Sequence, residues 1–255
     1  MFKLFLEFRA VFEFGAYFLS FPILSKAPRG DGHPVLVLPG FLAGDSSTLA
    51  LRAFLKYKGY KPHGWGLGRN LGRDVNSRHG ISSRLLKRAK QLSARYNRRV
   101  SLIGWSLGGI YARELSRAMR DDIRMVISMG SPFFYIDVKT NATPMYELLN
   151  GNHDRLNSAL QQRLKTPPPV PSTAIFTRTD GIAPWEACHD HQHLLDEWTE
   201  NVEIEGSHCG LGYNPLALWV IADRLAQPKG EWRPFNRSGF KKIVYRDPHR
   251  RGYFW

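Results

Sequence analysis

Short, uninterrupted apolar runs alternate with amphipathic segments along most of the chain. The apolar runs are only a few residues long and rich in Val, Ile and Leu, which is typical of parallel strands buried on both faces. We predict strands within 33–40, 60–67, 100–104, 125–130, 172–180 and 201–208, and helices within 46–60, 81–96, 107–119 and 214–226. Because strands and helices alternate, the pattern predicts a mostly parallel α/β sheet with flanking helices.

The length and composition of the chain suit one large domain with additions at both ends. The chain has 255 residues, of which 43% are hydrophobic, enough to fill a single core. We place the α/β domain at residues 33–226, an apolar helix and linker at 1–32, and a basic tail at 227–255. Within the domain, residues 132–171 interrupt the alternation, and we predict that they form a small lid or cap insertion.

The stretch GWSLGG places a serine between a predicted strand and a predicted helix. Ser106 has Gly104 and Gly108 on either side of it. A sharp strand-to-helix turn of this kind exposes the serine hydroxyl at the carboxyl end of a sheet, and glycines avoid collisions there. Although the G-x-S-x-G pattern also arises by chance, the strand before it and the helix after it favour a nucleophile.

An acidic residue and a histidine follow two later predicted strands. Asp180 comes after AIFTRT, and His208 comes after NVEIEGS. Carboxyl ends of parallel strands meet at one edge of a sheet, so these residues and Ser106 are expected close together. A serine hydroxyl needs a base to take its proton and a carboxylate to orient that base. We therefore predict that Ser106, Asp180 and His208 form a catalytic triad, the alternative being that Asp180 and His208 are ordinary loop residues.

A serine nucleophile also requires donors for the negatively charged oxygen that forms during attack. The backbone N–H of Leu107, directly after Ser106, is one candidate, and the N–H of Phe41 in the loop after the first strand is the other, with Leu42 as its neighbour. Apolar residues in and near the insertion suit a greasy substrate, or else merely cover the sheet. The candidates for substrate contact are Trp105, Phe133, Met145, Leu148 and Leu149.

Four motifs together resemble the α/β-hydrolase superfamily in its compact lipase and esterase branch. They are VLVLPGF, GWSLGG, TDGIAPWEAC and GSHCGLGYNP, and the resemblance covers roughly residues 33–226. It implies hydrolysis of carboxylic esters of apolar, lipid-like or acyl character through an acyl-enzyme on Ser106, without a cofactor. Pro39 stands where many lipases have a histidine, which leaves the particular subfamily open.

Two other classes of function remain open at this stage. An acyltransferase or a thioesterase would use the same three residues, and a non-catalytic protein of the same fold would bind lipid or membrane instead. An ester hydrolase implies a small-molecule or lipid-like ester as the partner.

The apolar N-terminal segment and the basic charge raise the question of a membrane partner. The segment is rich in Phe but is interrupted by Lys3, Glu7, Arg9 and Glu13, so it is either a helix packed on the protein or an interfacial membrane helix. The formal net charge is +14. It suits contact with an anionic membrane surface, whereas no nucleic-acid-binding motif accompanies it, so nucleic acid is not the expected partner.

The two cysteines follow the loops that carry Asp180 and His208. Because these loops must converge, we predict a disulfide between Cys188 and Cys209, the alternative being two free, partly buried cysteines. Such a bond would indicate an extracytoplasmic location, and without it the protein is expected in the cytoplasm or at the membrane periphery. The stretch CHDHQH at 188–193 lacks the spacing of a zinc site, so we predict no metal.

Overall fold

A computed structural model describes residues 5–76, 80–134, 141, 143–144, 147, 158–191 and 195–249. The strands in this part of the chain are β1 (Pro34–Leu38), β2 (Lys61–Gly64), β3 (Val75–Asn76), β4 (Gly80–Ile81), β5 (Val100–Trp105), β6 (Ile123–Met129), β7 (Ser172–Phe176) and β8 (Thr199–Glu203). Six of them form one parallel sheet in the order β2-β1-β5-β6-β7-β8, and β3 and β4 form a short antiparallel ribbon. The predicted parallel α/β fold is therefore confirmed.

Helices lie on both faces of the sheet and at both ends of the described chain. They are α1 (Arg9–Leu19), α2 (Phe21–Leu24), α3 (Leu49–Tyr57), α4 (Ser83–Tyr96), α5 (Leu107–Ala118), α6 (Ser158–Lys165), α7 (Pro215–Leu225) and α8 (Lys241–Val244). The start of helix α7 is well defined. The side chain of Asn214 caps it by accepting the N–H groups of Leu216 and Ala217, and Pro215 occupies the first helical position. Among the residues that the structure describes, none of the helices has the length and apolar character that a membrane crossing requires.

The sheet is apolar on both faces because its side chains alternate between two hydrophobic clusters. In β1, Val35 and Val37 belong to the cluster beneath α3 and α7, whereas Leu36 and Leu38 belong to the cluster beneath α4 and α5. Burying both faces explains why the strands are short, continuous apolar runs in the sequence. It also leaves the loops at the carboxyl ends of the strands as the place for polar side chains.

The predicted boundaries differ from the observed ones at two places. Helix α3 begins at Leu49, later than predicted, because Asp45–Thr48 forms a turn of 3₁₀-helix before it. The ribbon of β3 and β4 was not predicted, since strands of two residues are too short for an alternating pattern. The domain limits at 32, 226 and 227 and the insertion at 132–171 stay predictions, and much of the insertion lies outside the described residues.

Candidate active site

Ser106 stands between β5 and α5 in a strained backbone conformation. Its φ and ψ angles are 54° and −123°, which a residue with a side chain rarely adopts. The turn is so tight that a Cβ on Gly104 would collide with the backbone of Gly108, and a Cβ on Gly108 would collide with the carbonyl of Leu38. The glycine spacing in the sequence is therefore a steric requirement of this turn.

His208 and Asp180 form a buried hydrogen-bonded pair. Nδ1 of His208 lies 2.7 Å from Oδ2 of Asp180. The other oxygen of Asp180 accepts the backbone N–H groups of Ile182 at 2.8 Å and Ala183 at 2.7 Å. These bonds hold the carboxylate in one orientation, so that it can orient the imidazole in turn.

The end of β6 lies between this pair and Ser106. The carbonyl of Met129, at the end of β6, accepts the backbone N–H of Ser106 at 2.8 Å. A Cβ on the next residue, Gly130, would lie 3.1 Å from Nδ1 of His208 and 3.2 Å from Oδ2 of Asp180. The strands thus bring the three residues predicted as a triad to one edge of the sheet, and their catalytic roles stay a prediction.

The charges around His208 favour its protonated form. Burial is the largest single influence and lowers the pKa of His208, but the nearby carboxylates of Asp180 and Glu7 outweigh it, so the pKa is raised above 6.5. A histidine with this environment accepts a proton readily and is stabilised as a cation once it has done so.

Trp105 braces the loop that carries His208. Its indole N–H donates to the carbonyl oxygen of His208 at 3.0 Å. Its ring lies so close to Gly212 that a Cβ there would be 3.2 Å from it. Trp105 was predicted as a substrate contact, which stays a prediction, whereas its contact with the histidine loop was not foreseen.

A buried asparagine holds the loop after β1, where the predicted Phe41 donor lies. The Asn70 side chain donates to the carbonyl of Pro39 at 2.9 Å and accepts the hydroxyl of Tyr111 at 3.1 Å. The N–H of Leu42 donates to the Asn70 carbonyl at 2.7 Å, and Leu42 has a φ of 61°. The alternative donor Leu42 is therefore already engaged, while Leu107 occupies the first turn of α5, where backbone N–H groups have no partner within the helix.

The N-terminal helix binds the candidate site through its charged residues. Glu7 accepts the backbone N–H groups of Gly181 at 2.8 Å, His208 at 3.0 Å and Cys209 at 2.8 Å. Glu13 accepts the N–H of Ser207 at 2.7 Å. We call Glu7, Arg9 and Glu13 the N-terminal clasp, because they connect α1 and the turn before it to the loops of Asp180 and His208.

The remaining contacts of the clasp are equally close. Arg9 donates to the hydroxyl of Thr179 at 3.0 Å and to the carbonyl of Gly206 at 2.9 Å. The carboxylate of Glu13 fills the space that a Cβ on Gly210 would need. Burial of the Glu13 carboxylate raises its pKa, and the hydrogen bonds to Ser207 and Asn214 partly offset this increase. In the sequence, the only indication of this arrangement is the presence of charged residues within an otherwise apolar helix. Their positions do not show which groups they bind.

The predicted disulfide is wrong, because both cysteines are free. Cys188 is buried with Phe176 and Ala183, and its thiol lies 3.4 Å from the carbonyl of Pro184. Cys209 is exposed, and it lines a cavity together with residues of the N-terminal segment. The two loops converge, but their thiols have opposite environments, one inside the core and the other at the surface. The extracytoplasmic location that depended on this bond therefore loses its support.

An apolar cavity adjoins the histidine loop. It has a volume of about 440 Å³ and is lined by Phe5, Glu7, Phe8, Val11, Ile182 and Cys209. Of the predicted substrate contacts, Phe133 is fully buried in the core against the guanidinium of Arg113, 3.6 Å from its ring centre. Its contact with a substrate stays a prediction, and Met145, Leu148 and Leu149 lie outside the described residues.

The histidine-rich stretch has a structural partner. Asp190 forms a buried ion pair with Arg113 at 2.6 Å, and the ring of His189 stacks with those of Phe176, Trp185 and His191. Within the described part of the chain, no group of three or more His, Cys, Asp or Glu side chains is arranged to hold a metal ion.

A second set of Ser, His and Asp residues meets at the opposite edge of the sheet. His33 lies 2.8 Å from the hydroxyl of Ser101 and 2.5 Å from the carboxylate of Asp31. Burial and the positive charge of Arg124 lower the pKa of His33 to about 4. Ser101 is fully buried within β5, so no substrate reaches it. Residue types alone therefore do not distinguish the two sets, whereas accessibility and backbone geometry do.

Comparisons with known proteins agree with the fold. No family model matches the chain, and no curated protein sequence does. An α/β-hydrolase enzyme from a sediment metagenome of the Mar Chica lagoon, Morocco, superposes with a TM-score of 0.50 at 20% identity, over 73% of this chain and 87% of that one. Lipase B of Aspergillus fumigatus gives 0.53 at 16% identity, over 78% of this chain and 54% of the lipase.

A third similar structure is the monoacylglycerol lipase of Paleococcus ferrophilus. It gives a TM-score of 0.51 at 12% identity, over 77% of this chain and 96% of the lipase. Identities this low carry information about the fold and not about the substrate. The resemblance of the four sequence motifs is thereby confirmed at the level of architecture, and this chain has the α/β-hydrolase fold.

Proposed function

We propose that this protein is a serine hydrolase that cleaves carboxylic esters of apolar, lipid-like substrates through an acyl-enzyme on Ser106. The observation that carries the proposal is the strained turn of Ser106, whose backbone N–H binds Met129 at the end of β6, next to the Gly130 that packs against the His208–Asp180 pair. A fold of this kind hosts many chemistries, so the proposal depends on this site and not on the architecture.

The proposed reaction has two half-reactions, and in each of them His208 first accepts a proton and then donates it. His208 removes the hydroxyl proton of Ser106 as Oγ attacks the ester carbonyl carbon, and Asp180 stabilises the imidazolium. The tetrahedral intermediate collapses, the ester C–O bond breaks, and the alcohol leaves with the proton from His208. Water then attacks the acyl-enzyme while His208 takes one of its protons. The bond between the acyl carbon and Oγ of Ser106 breaks, His208 returns the proton to Oγ, and the carboxylic acid is released.

The oxyanion of the tetrahedral intermediate would be bound by the backbone N–H groups of Leu107 and Phe41. Support comes from the loop after β1, which Asn70 holds against the sheet through the carbonyls of Pro39 and Ala43. Donors held in place before the reaction stabilise a developing charge without reorganising, and each is worth about 2.7–4 kcal/mol.

The cavity beside the His208 loop favours an apolar acyl group. It is lined mainly by Phe5, Phe8, Val11 and Ile182, and apolar walls of this size bind alkyl chains by excluding water.

The test is a series of p-nitrophenyl esters of increasing chain length, run with the wild-type protein, Ser106→Ala and Ser101→Ala. We expect turnover by the wild type, its loss in Ser106→Ala, and its retention in Ser101→Ala, because Ser101 belongs to the buried second set. A fluorophosphonate probe should label Ser106 alone, as read by peptide mass spectrometry. Turnover that survives Ser106→Ala would refute the nucleophile, and no turnover of any ester would favour a lipid-binding protein.

The rival chemistry with the same three residues is transfer of the acyl group to an acceptor other than water. A competing alcohol and a matched thioester substrate distinguish the cases. Hydrolysis predicts free acid as the main product at every alcohol concentration, whereas an acyltransferase would form mainly the new ester and a thioesterase would prefer the thioester.

A further inference from the structure

The N-terminal helices present their apolar side chains to solvent and their charged side chains to the protein. Phe12 and Leu19 are 78% and 84% exposed, whereas Tyr17 and Leu24 are buried. The exposed apolar residues recur at helical spacing and form one face, which we call the N-terminal apolar face: Phe8, Val11, Phe12, Phe18, Leu19 and Ile23. A contiguous surface of this kind on a folded protein marks a site of interaction.

The polar groups of this segment are already used. Glu7, Arg9 and Glu13 bind the loops of the candidate site, so they are not available to pair with a protein partner. What remains outside is hydrocarbon, which suits a fluid apolar layer better than a protein surface with its own hydrogen-bonding groups.

Positive charges border the face at its carboxyl end. Lys26 and Arg29 are exposed directly after α2, and Lys56 is exposed next to Tyr57, whose ring lies 4.9 Å from that of Phe21. Asp31, two residues after Arg29 in the chain, is paired with Arg98 and Arg124. A row of cations beside an apolar face matches the arrangement of anionic headgroups above acyl chains.

We propose that the N-terminal apolar face docks the protein on a bilayer that contains anionic lipids, with the apolar cavity open toward the acyl layer. Phe8 and Val11 belong both to the face and to the cavity wall, whose other side is formed by Ile182 and Cys209 next to the candidate site. An ester in the bilayer would reach the cavity without crossing water. This last step rests on the proposed function, whereas docking does not.

The test compares binding and turnover in Phe12→Glu/Leu19→Glu, whose two positions lie on the face and do not line the cavity. Trp198→Glu is the matched control, since Trp198 is also exposed but directly precedes β8 and does not belong to the N-terminal apolar face. Circular dichroism and thermal melting verify that each variant is folded. The first measurement is co-sedimentation with phosphatidylcholine vesicles, with and without phosphatidylglycerol, at low and high salt.

We expect the wild type and Trp198→Glu to bind in a manner that increases with phosphatidylglycerol and decreases with salt. The double variant should bind at least about tenfold more weakly, because each substitution removes a large apolar side chain from the contact. It should retain turnover of a soluble short-chain ester and lose turnover of a long-chain ester held in vesicles. Ser106→Ala should bind as the wild type does, which separates docking from catalysis.

Two results would overturn docking. One is equal binding of wild type and double variant, which would place the contact elsewhere on the surface. The other is a lipid-free dimer, seen by analytical ultracentrifugation, that the double variant abolishes, because the face would then be an interface between two copies. Absence of ester turnover with intact vesicle binding would instead refute the proposed function and leave docking in place.

Discussion

The carboxylate of Glu7 accepts the backbone N–H of His208 at 3.0 Å, although the two residues are 201 positions apart in the chain. The same carboxylate binds the N–H groups of Gly181 and Cys209, so it connects the loop of Asp180 to the loop of His208. Glu7 is therefore a positioning residue for the proposed base, and it also contributes to raising the pKa of His208. Deleting the N-terminal segment would remove this connection along with the apolar face.

We predict that Glu7→Gln shifts the acid limb of the pH profile to lower pH. Catalysis requires neutral His208, so activity is lost as pH falls through the pKa of His208, which the negative charge of Glu7 helps to raise. Removing the charge lowers this pKa, while the amide oxygen of Gln still accepts a hydrogen bond. The measurement is kcat/KM against pH for a soluble ester.

Glu13→Gln is the control for that experiment. Glu13 binds the neighbouring Ser207, but it is not among the charges that shift the pKa of His208. Its acid limb should coincide with that of the wild type. If the acid limb shifts in both variants, or in neither, the charge of Glu7 does not specifically raise the pKa of His208.

The proposed base and its orienter should act as one unit. His208→Ala should lose most of the rate, and Asp180→Asn somewhat less, because a poorly oriented histidine still accepts protons. The double variant should be hardly slower than His208→Ala alone. Single-turnover rates measure these losses. If the rate loss of the double variant equals the product of the two single losses, His208 and Asp180 act independently in catalysis despite their 2.7 Å contact.

Gly130→Ala should reduce both stability and activity. Gly130 has a φ of 52°, and an added Cβ would meet His208, Asp180 and, at 2.7 Å, the Leu211 side chain. Gly239→Ala is the matched control, because Gly239 has a φ of 62° but open space around it. We expect a loss of about 1 kcal/mol in the free energy of unfolding for Gly239→Ala, from backbone strain alone.

The loss for Gly130→Ala should exceed that of its control by roughly 1–3 kcal/mol, from the added steric conflict, and kcat should fall about 100-fold because the pair is displaced. Urea denaturation and steady-state kinetics measure the two effects. Equal behaviour of the two variants would mean that the site tolerates a side chain beside the His208–Asp180 pair.

The Arg113–Asp190 pair should serve stability and not metal binding. Both side chains are only 1% exposed, so Asp190→Ala leaves a buried cation unpaired and should cost about 3–5 kcal/mol of unfolding free energy. Asp121→Ala, at an exposed position, should change it by less than about 0.5 kcal/mol. Zinc or a chelator should leave the melting temperature of the wild type unchanged, and a shift would revive the metal interpretation of the histidine-rich stretch.

The cysteines should remain reduced thiols that react slowly. The thiol of Cys209 is partly shielded from water by the apolar residues of the N-terminal segment, although the residue is exposed, and this desolvation, followed by the negative charge of Glu7, raises its pKa to about 12. Burial raises the pKa of Cys188 well above its usual range. Mass spectrometry of non-reduced, unfolded protein should find two alkylatable thiols, and a reductant should not change the melting temperature. A linked peptide containing both residues would contradict the structure.

The residues of the proposed triad could be located from the sequence because each of them follows a strand that a local pattern predicts, and because parallel strands end at the same edge of a sheet. Strand periodicity and the spacing of Gly104, Ser106 and Gly108 act over a few residues, and parallel strands align their carboxyl ends. Any chain with these strands brings Ser106, Asp180 and His208 to one edge. The same reasoning was insufficient for the disulfide, because neighbouring loops do not determine where a side chain points, and Cys188 turned into the core.

Only the tertiary structure decided which side of the N-terminal helix faces the protein. A surface helix usually turns its apolar residues inward and its charged residues outward. Here the backbone N–H groups of Gly181, Ser207 and His208 find their acceptors in the carboxylates of Glu7 and Glu13, so the charged residues turn inward instead. Those donors exist only after two distant strand-end loops have come together, so no pattern within the first residues of the chain reports them. Burying donors without acceptors costs about 1–3 kcal/mol each, which explains why the charged side of the helix turns inward and the Phe-rich side is left exposed.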